Sequence, residues 1–341
     1  MSSSKPYGTL VLIGRFQPLH NAHLEIIKRC TALTDQLLII CGSADQPRTY
    51  KNPFTFEERK RMILDATRGL SMRVYVEPNI DTIYNDQAWA VRVQGIQSKY
   101  RILGYNDAII GHKKDDSSFY LDMFPQWDFI DVEQIEPLGA TDIRDLYFKR
   151  DANMRFIQGV VPETTFDFLL KFKETPEYEQ VIREREFIET YKKQYASLPY
   201  PPVFVTTDAV VIQSGHVLMI KRRSEPGKGL WALPGGFLNA NTDKSVQDAM
   251  IRELREETGI KVPVPVLKGS IQDNRVFDAI GRSARGRTIT HAFKIVLPDG
   301  ELPKVKGMDD AEKARWVPIA EVRSDQCFED HYEILQTFVG A

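Results

Sequence analysis

The chain has 341 residues, 27 % of them charged, and a formal net charge of -2. That length exceeds one ordinary hydrophobic core, so two domains are expected. The near-neutral balance gives no global reason to bind nucleic acid or a membrane surface, and no run approaches the roughly 18 apolar residues of a membrane span. Cys30, Cys41 and Cys327 are odd in number, scattered and without CxxC spacing, so they read as free thiols in a reducing cytoplasm. The opening MSSSKPYG lacks the apolar run of a signal peptide.

The first half alternates strand-like and helical runs. Residues 9–13, 36–41, 73–76 and 107–110 read as buried strands; 24–33, 53–64 and 89–96 carry helical spacing. This alternation predicts an α/β domain with a parallel sheet covered by helices on both faces, its ligand outside the carboxyl ends of the strands. Residues 176–195 are dense in Glu, Lys and Arg and read as an exposed helix. The proline-rich stretch 196–202 that follows places the boundary between domain 1–195 and domain 196–341. Beyond it, 203–212 and 217–220 read as strands of a hairpin turning at Ser214-Gly215. A helix over 245–258 and a strand over 288–297 follow, giving a mixed α+β domain. Residues 328–341 read as a helix serving either internal packing or a contact in a homo-oligomer.

Gly14-Arg15-Phe16-Gln17-Pro18-Leu19-His20-Asn21-Ala22-His23 stands where the first strand gives way to the first helix. A helix N-terminus offers unpaired N–H groups to an anion, and Gly14 permits close backbone approach. Arg15, His20 and His23 bring cationic or donor groups to the same place, the histidines sharing a helix face. By spacing alone, two such histidines are as readily incidental, or half of a metal site. The whole string, however, resembles the (H/T)xGH signature of the nucleotidyltransferase superfamily, in the GRFQPxH form of archaeal-type nicotinamide mononucleotide adenylyltransferases. Ala22 departs from the usual Gly. Gly139-Ala140-Thr141-Asp142-Ile143-Arg144 resembles a short form of the second signature, ISSTxxR.

This resemblance implies a Rossmann-like fold and adenylyl transfer from ATP to nicotinamide mononucleotide, giving NAD. His20, His23, Arg15 and Arg144 would stabilise charge, with Gly14, Phe16 and Gln17 near the substrate and Thr141 capping a helix and binding phosphate. The loop residues 42–44, 47–49 and 52–55 also match the subfamily. Asp81, Asn85 and Trp89 resemble its nicotinamide pocket, although periodicity alone favours core packing for Trp89. Gly111-His112-Lys113-Lys114-Asp115 offers Lys113 to a phosphate or is a solvated loop.

In the second half, Arg252-Glu253-Leu254-Arg255-Glu256-Glu257-Thr258-Gly259 follows a helix start at Ser245. At about 100° per residue, Val246, Ala249, Met250 and Leu254 form an apolar stripe, and Glu253, Glu256 and Glu257 fall in or beside it. Carboxylates against a core face are costly unless a cation neutralises them, and Mg²⁺ or Mn²⁺ is the economical partner. The stretch resembles the Nudix box, Gx₅Ex₇REUxEExGU, whose second half it matches residue by residue. The first half departs: the loop after Gly236 is two residues longer, and its acid is missing or replaced by Asp243. Arg285 and Arg287, in a basic run that includes Arg282 and Ser283, are candidates for the substrate diphosphate or equally part of an exposed basic hairpin; Asp309-Asp310 either assists a metal or makes a turn.

Taken together, the chain is similar to bifunctional nicotinamide mononucleotide adenylyltransferase/Nudix hydrolases, whose second half acts on ADP-ribose, yielding AMP and ribose 5-phosphate. Two alternatives remain: a C-terminal half that binds nucleotide without hydrolysing it, and an N-terminal half that uses another phosphate acceptor.

Overall fold

A computed structural model describes residues 5–113, 116–132 and 138–340, with backbone only at 116 and 117. The chain divides into two compact units, Met1–Ile182 and Arg183–Ala341.

The first unit runs β1 (Tyr7–Gly14), α1 (Asn21–Cys30), β2 (Gln36–Cys41), α2 (Phe56–Ala66), β3 (Arg73–Pro78), α3 (Asp86–Ser98), β4 (Asn106–Gly111), β5 (Asp128–Asp131), α4 (Ala140–Tyr147), α5 (Met154–Val160) and α6 (Glu163–Phe172), and ends within α7 (Pro176–Lys193). Its five strands are all parallel in the order β3-β2-β1-β4-β5. Alternate residues of each strand bury on opposite faces. Leu10, Leu12, Leu37 and Ile39 join one core with Ile27, Met62 and Ile63; Val11, Leu38, Ile40 and Ile109 join the other with Ala90 and Val93. Both faces are covered, as the continuous apolar strands require. Successive strands leave β1 toward β2 on one side and return to β4 on the other. The strand order therefore reverses at the carboxyl end of β1, where such sheets bind ligands.

The second unit contains β6 (Val203–Gln213), β7 (His216–Arg222), β8 (Trp231–Ala232), β9 (Gly235–Phe237), α8 (Val246–Thr258), α9 (Val264–Gly269), β10 (Ile271–Phe277), β11 (Arg287–Val296), β12 (Ala311–Pro318) and α10 (His331–Val339). Its sheet is mixed. The main path is β10-β11-β6-β7-β12, with β11 parallel to β6 and the other neighbours antiparallel. Ser214 and Gly215 (φ 46° and 75°) make the two-residue hairpin turn expected from sequence. In α8, Ser245 caps the start by accepting the Asp248 N–H, and Gly259 ends it at φ 59°. His331, Ile334, Leu335 and Phe338 of α10 are buried, so one face of the terminal helix packs within this unit.

Helix α7 departs from the exposed helix expected. Tyr178, Val181, Ile182, Glu184, Arg185 and Ile188 are all buried. The units divide inside it, ahead of the proline-rich stretch, because its later residues pack with the second sheet. Tyr191 and Tyr195 meet Phe204 of β6 edge-on at 5.8 and 5.1 Å, and the Glu184 carboxylate accepts the Gly227 N–H at 3.2 Å.

Candidate functional sites

At the carboxyl end of β1 the chain turns through Phe16, held at φ 51°, before entering α1. A left-handed phenylalanine is strained and persists only where its surroundings fix it. Here its ring lies 3.1 Å from where a Cβ on Gly14 would sit, and 4.8 Å from the His23 ring. Gly14 thus makes room for Phe16. Gln17 is also internal. Its amide pairs with both backbone groups of Phe54, at 2.8 and 2.9 Å, and it is 1 % exposed. Phe16 and Gln17, expected at the substrate, are both buried and engaged by His23 and by the Phe54 backbone.

Four basic side chains converge beside this loop. The His20 and His23 ring centroids are 3.7 Å apart. Arg144, reaching in from α4, donates Nη1–H to the Gln17 carbonyl (2.8 Å) and Nη2–H to Thr141 Oγ1 (3.1 Å). Buried nitrogens on all four side chains, Arg15 Nη1, His20 Nδ1, His23 Nδ1 and Arg144 Nε, have no hydrogen-bond partner. Unpaired buried polar groups are costly, and four together mark a place shaped for an external acceptor. Burial also suppresses charge: it lowers the His20 pKa to about 4, and the His23 pKa well below the usual histidine value, with His20 adding to the second. Both imidazoles are neutral at pH 7, so the two arginines carry the positive charge.

Because these histidines titrate lower when folded than when unfolded, the unfolded chain takes up protons first on acidification. Their stabilisation is complete above pH 6.5 or so and is lost as pH falls toward 4. For His20 the loss is expected to reach roughly 3 kcal/mol. Thermal melting across that range should show it, and His20→Asn should flatten the dependence.

The remaining first-half candidates separate. Asp81 accepts from the Ser43 N–H and hydroxyl at 2.9 and 2.5 Å, close to Gly42 and Arg15. Asn85 caps α3 through the Ala88 N–H, a structural duty. Trp89 packs with Tyr120 and Phe124. Thr141 lies inside the first turn of α4; the cap is Gly139, whose N–H is accepted by Asp142. Lys113 is paired with Asp122 at 2.6 Å on the surface; Lys114 and Asp115 lie outside the described residues. Arg59 escaped sequence reasoning altogether. It is 1 % exposed and donates to the carbonyls of Arg15, Gly42 and Ser43 at 2.7 to 3.0 Å, tying the ends of β1 and β2 together.

In the second unit, Glu253, Glu256 and Glu257 line one cleft of about 390 Å³. Gly235 and Gly236 of β9 pass directly over them. A Cβ on Gly236 would fall 2.6 Å from the Glu253 carboxylate, and the Gly235 N–H donates to Glu257 at 2.8 Å. Arg252 organises the rest. It donates to Glu253 and Glu256 at 2.8 and 2.9 Å, and both of its other nitrogens grip Asp243 at 2.9 and 2.8 Å. Asp243 is therefore the loop acid that pairs with Arg252. The longer loop brings it there by closing on itself, with Asn239 and Asp243 hydrogen-bonded in both directions.

Burial raises the carboxyl pKa of Glu253, and raises that of Glu257 to about 8 with Glu253 and Asp208 adding their repulsion. An all-oxygen donor set under mutual repulsion fits a hard divalent cation. Among the described residues no three His, Cys, Asp or Glu side chains are grouped closely enough to hold a metal ion as they stand; Arg252 and the Gly235 N–H are the present partners of the carboxylates. Gly236→Ala should leave the fold intact yet displace Glu253, cutting hydrolysis about 100-fold. Gly235→Ala should instead unfold the unit, since its Cβ would sit 2.1 Å from the Thr207 carbonyl; melting curves separate the two.

Arg285 lines the cleft, its guanidinium 4.9 Å from the Phe237 ring centroid. Arg287 does not: it opens β11 and faces Asp278 at 4.0 Å. Arg282 is committed to Asp330 in a buried pair at 2.7 and 2.8 Å. Asp309 and Asp310 line the cleft, as do Arg222, Asp208 and Glu329, which no local motif signalled.

Two family models match: Cytidylyltransferase-like over residues 11–146 and NUDIX domain over residues 203–338. A crystal structure of a bifunctional NMN adenylyltransferase/ADP ribose pyrophosphatase from Francisella tularensis, complexed with AMP and a Mn ion, is 34 % identical. The match covers 98 % of this chain and 99 % of that one, with a TM-score of 0.90. Nicotinamide/nicotinic acid mononucleotide adenylyltransferase of Acinetobacter baylyi is 36 % identical over 50 % of this chain and 90 % of its own. ADP-ribose pyrophosphatase of Methanocaldococcus jannaschii is 31 % identical over 47 % and 83 %. The chain belongs to the family of bifunctional NMN adenylyltransferase/ADP-ribose pyrophosphatases, a cytidylyltransferase-like domain followed by a NUDIX domain.

Proposed function

We propose that the first unit makes NAD from ATP and nicotinamide mononucleotide, and that the second hydrolyses ADP-ribose to AMP and ribose 5-phosphate using Mg²⁺ or Mn²⁺. For the first reaction, the observation that carries the reading is the convergence of unpartnered nitrogens on Arg15, His20, His23 and Arg144. An oxygen of the mononucleotide's 5′-phosphate attacks the α-phosphorus of ATP, and the bond to the β-phosphate oxygen breaks, releasing pyrophosphate. Arg15 and Arg144 neutralise charge moving onto the leaving group, and the neutral imidazoles donate hydrogen bonds to it. No side-chain nucleophile is needed.

In the second unit Glu253, Glu256 and Glu257 would hold the cation, which supplies charge neutralisation and an activated water when bound. Arg252, fixed by Asp243, keeps Glu253 and Glu256 oriented, while Arg285 binds the diphosphate. Water adds to one phosphorus, the bridging P–O bond breaks, and the two phosphate monoesters leave. A reducing cytoplasm suits the three buried free cysteines, and no described helix is long and apolar enough to cross a membrane.

Two assays on the full chain test this. NAD formation should exceed product formation with pantetheine phosphate as acceptor, and a chelator should stop ADP-ribose hydrolysis. A preference for another acceptor would refute the first half; ADP-ribose bound without turnover would refute the second.

A further inference from the structure

The cleft that holds the acidic helix has one wall its proposed chemistry leaves unexplained. Phe187 and Tyr191 of α7 line it together with Glu253, Glu256 and Glu257. They stand one helical turn apart, with ring centroids at 6.3 Å and planes 26° from parallel. Phe187 is 37 % exposed, an uncommon position for a phenylalanine on the wall of so charged a cleft. The other aromatic rings of the cleft are engaged by guanidinium groups: Arg285 lies over Phe237 at 4.9 Å, and Arg222 over Phe328 at 3.9 Å. Behind the platform, Tyr191 is braced edge-on by Phe204 and tilted against Tyr195 at 5.5 Å. The platform is thus rigid at its back and open toward the cleft.

We propose that Phe187 and Tyr191 form the stacking surface for the nucleobase of the diphosphate substrate, so that the later turns of α7, within the second unit, complete the hydrolase pocket. The chemistry decides the occupant. Arg285, and the carboxylates through a divalent cation, suit the diphosphate, and of a nucleoside diphosphate sugar only the base is planar and aromatic. Stacking recognises any base by its π-face, so the platform contributes affinity for nucleotides as a class while the reacting groups stay with α8. The sugar at the other end of the diphosphate makes no use of it.

This rests on the hydrolase reading, and two measurements on the full chain keep the two apart. In steady-state hydrolysis of ADP-ribose with Mn²⁺, Phe187→Leu and Tyr191→Leu should each raise KM roughly tenfold or more, as loss of base–aromatic stacking does. Their kcat should stay within about twofold, and Tyr191→Phe should behave as wild type. Leucine preserves apolar packing, and melting curves confirm folding. Calorimetric titration of ADP-ribose with Ca²⁺ in place of Mn²⁺ reads the platform without turnover. Weaker binding in both leucine variants supports it even if the wild type hydrolyses nothing. Equal affinity and equal KM in wild type and both variants would overturn it, as would a fall in kcat with KM unchanged.

Discussion

Glu257→Gln is expected to lower metal-dependent ADP-ribose hydrolysis by about a thousandfold or more while NAD synthesis by the same polypeptide is untouched. Glu257 is buried at the end of α8, and its carboxylate accepts the Gly235 N–H. An amide oxygen can keep that bond and the side-chain volume is unchanged, so the fold should persist. What disappears is a carboxyl group whose ionisation the cleft opposes and a bound cation would favour. Burial, and after it the repulsion of Glu253 and Asp208, already push the acid up to about 8. The acid is then mostly protonated at pH 7 without a cation, so the isosteric neutral amide should leave the melting temperature nearly unchanged. Near-normal hydrolysis in this variant would mean that the cation is held elsewhere in the cleft, with Asp309 and Asp310 the next carboxylates to test.

What could be read from sequence follows how local the determinant is. Helix α8 was legible in full, because its cap at Ser245, its apolar stripe and its stop at Gly259 all lie within one short segment. The altered first half of the box was legible only as a choice. Whether Asp243 replaces the missing acid depends on a loop closed by Asn239, and spacing alone does not show where a longer loop places its side chains. The strand–turn–helix at β1 was likewise visible, yet the roles of its residues were not. Phe16 and Gln17 sit inside the motif but face Gly14, His23 and the Phe54 backbone. Phe54 is far along the chain from all of them.

Helix α7 was misread for a different reason. Its density of Glu, Lys and Arg suggests a solvated rod, but Tyr178, Val181, Ile182, Arg185 and Ile188 recur at intervals of three and four and are all buried. That period was present and outweighed by composition. Phe187 and Tyr191 repeat at four on a neighbouring face, a second stripe that composition also obscured. Arg59, Asp208 and Glu329 gave no local signal, since their partners or the cleft they line come from distant segments.

Arg144→Ala should reduce kcat/KM for NAD synthesis by about a thousandfold, with ADP-ribose hydrolysis unaltered. Arg144 enters the first site from α4, and its guanidinium is already gripped on two sides, by the Gln17 carbonyl and Thr141 Oγ1. This leaves the unpartnered Nε facing nothing in the protein. Burial, together with the charge of Arg15, lowers its pKa to about 10, which still leaves it a full cation at pH 7. Asp142 beside Arg144 and Asp81 beside Arg15 offset the two like charges only in part, since both pKa values stay lowered, and a polyanion would complete the set. The alanine variant should lose some stability as well, because the buried Gln17 carbonyl loses its donor. Arg144→Lys separates the effects: it keeps the charge but cannot fork between two acceptors. It should recover most of the melting temperature while synthesis stays at least tenfold down, with the KM for ATP raised. Full activity in the lysine variant would reduce Arg144 to a source of charge, and full activity in the alanine variant would place the triphosphate away from this cluster altogether.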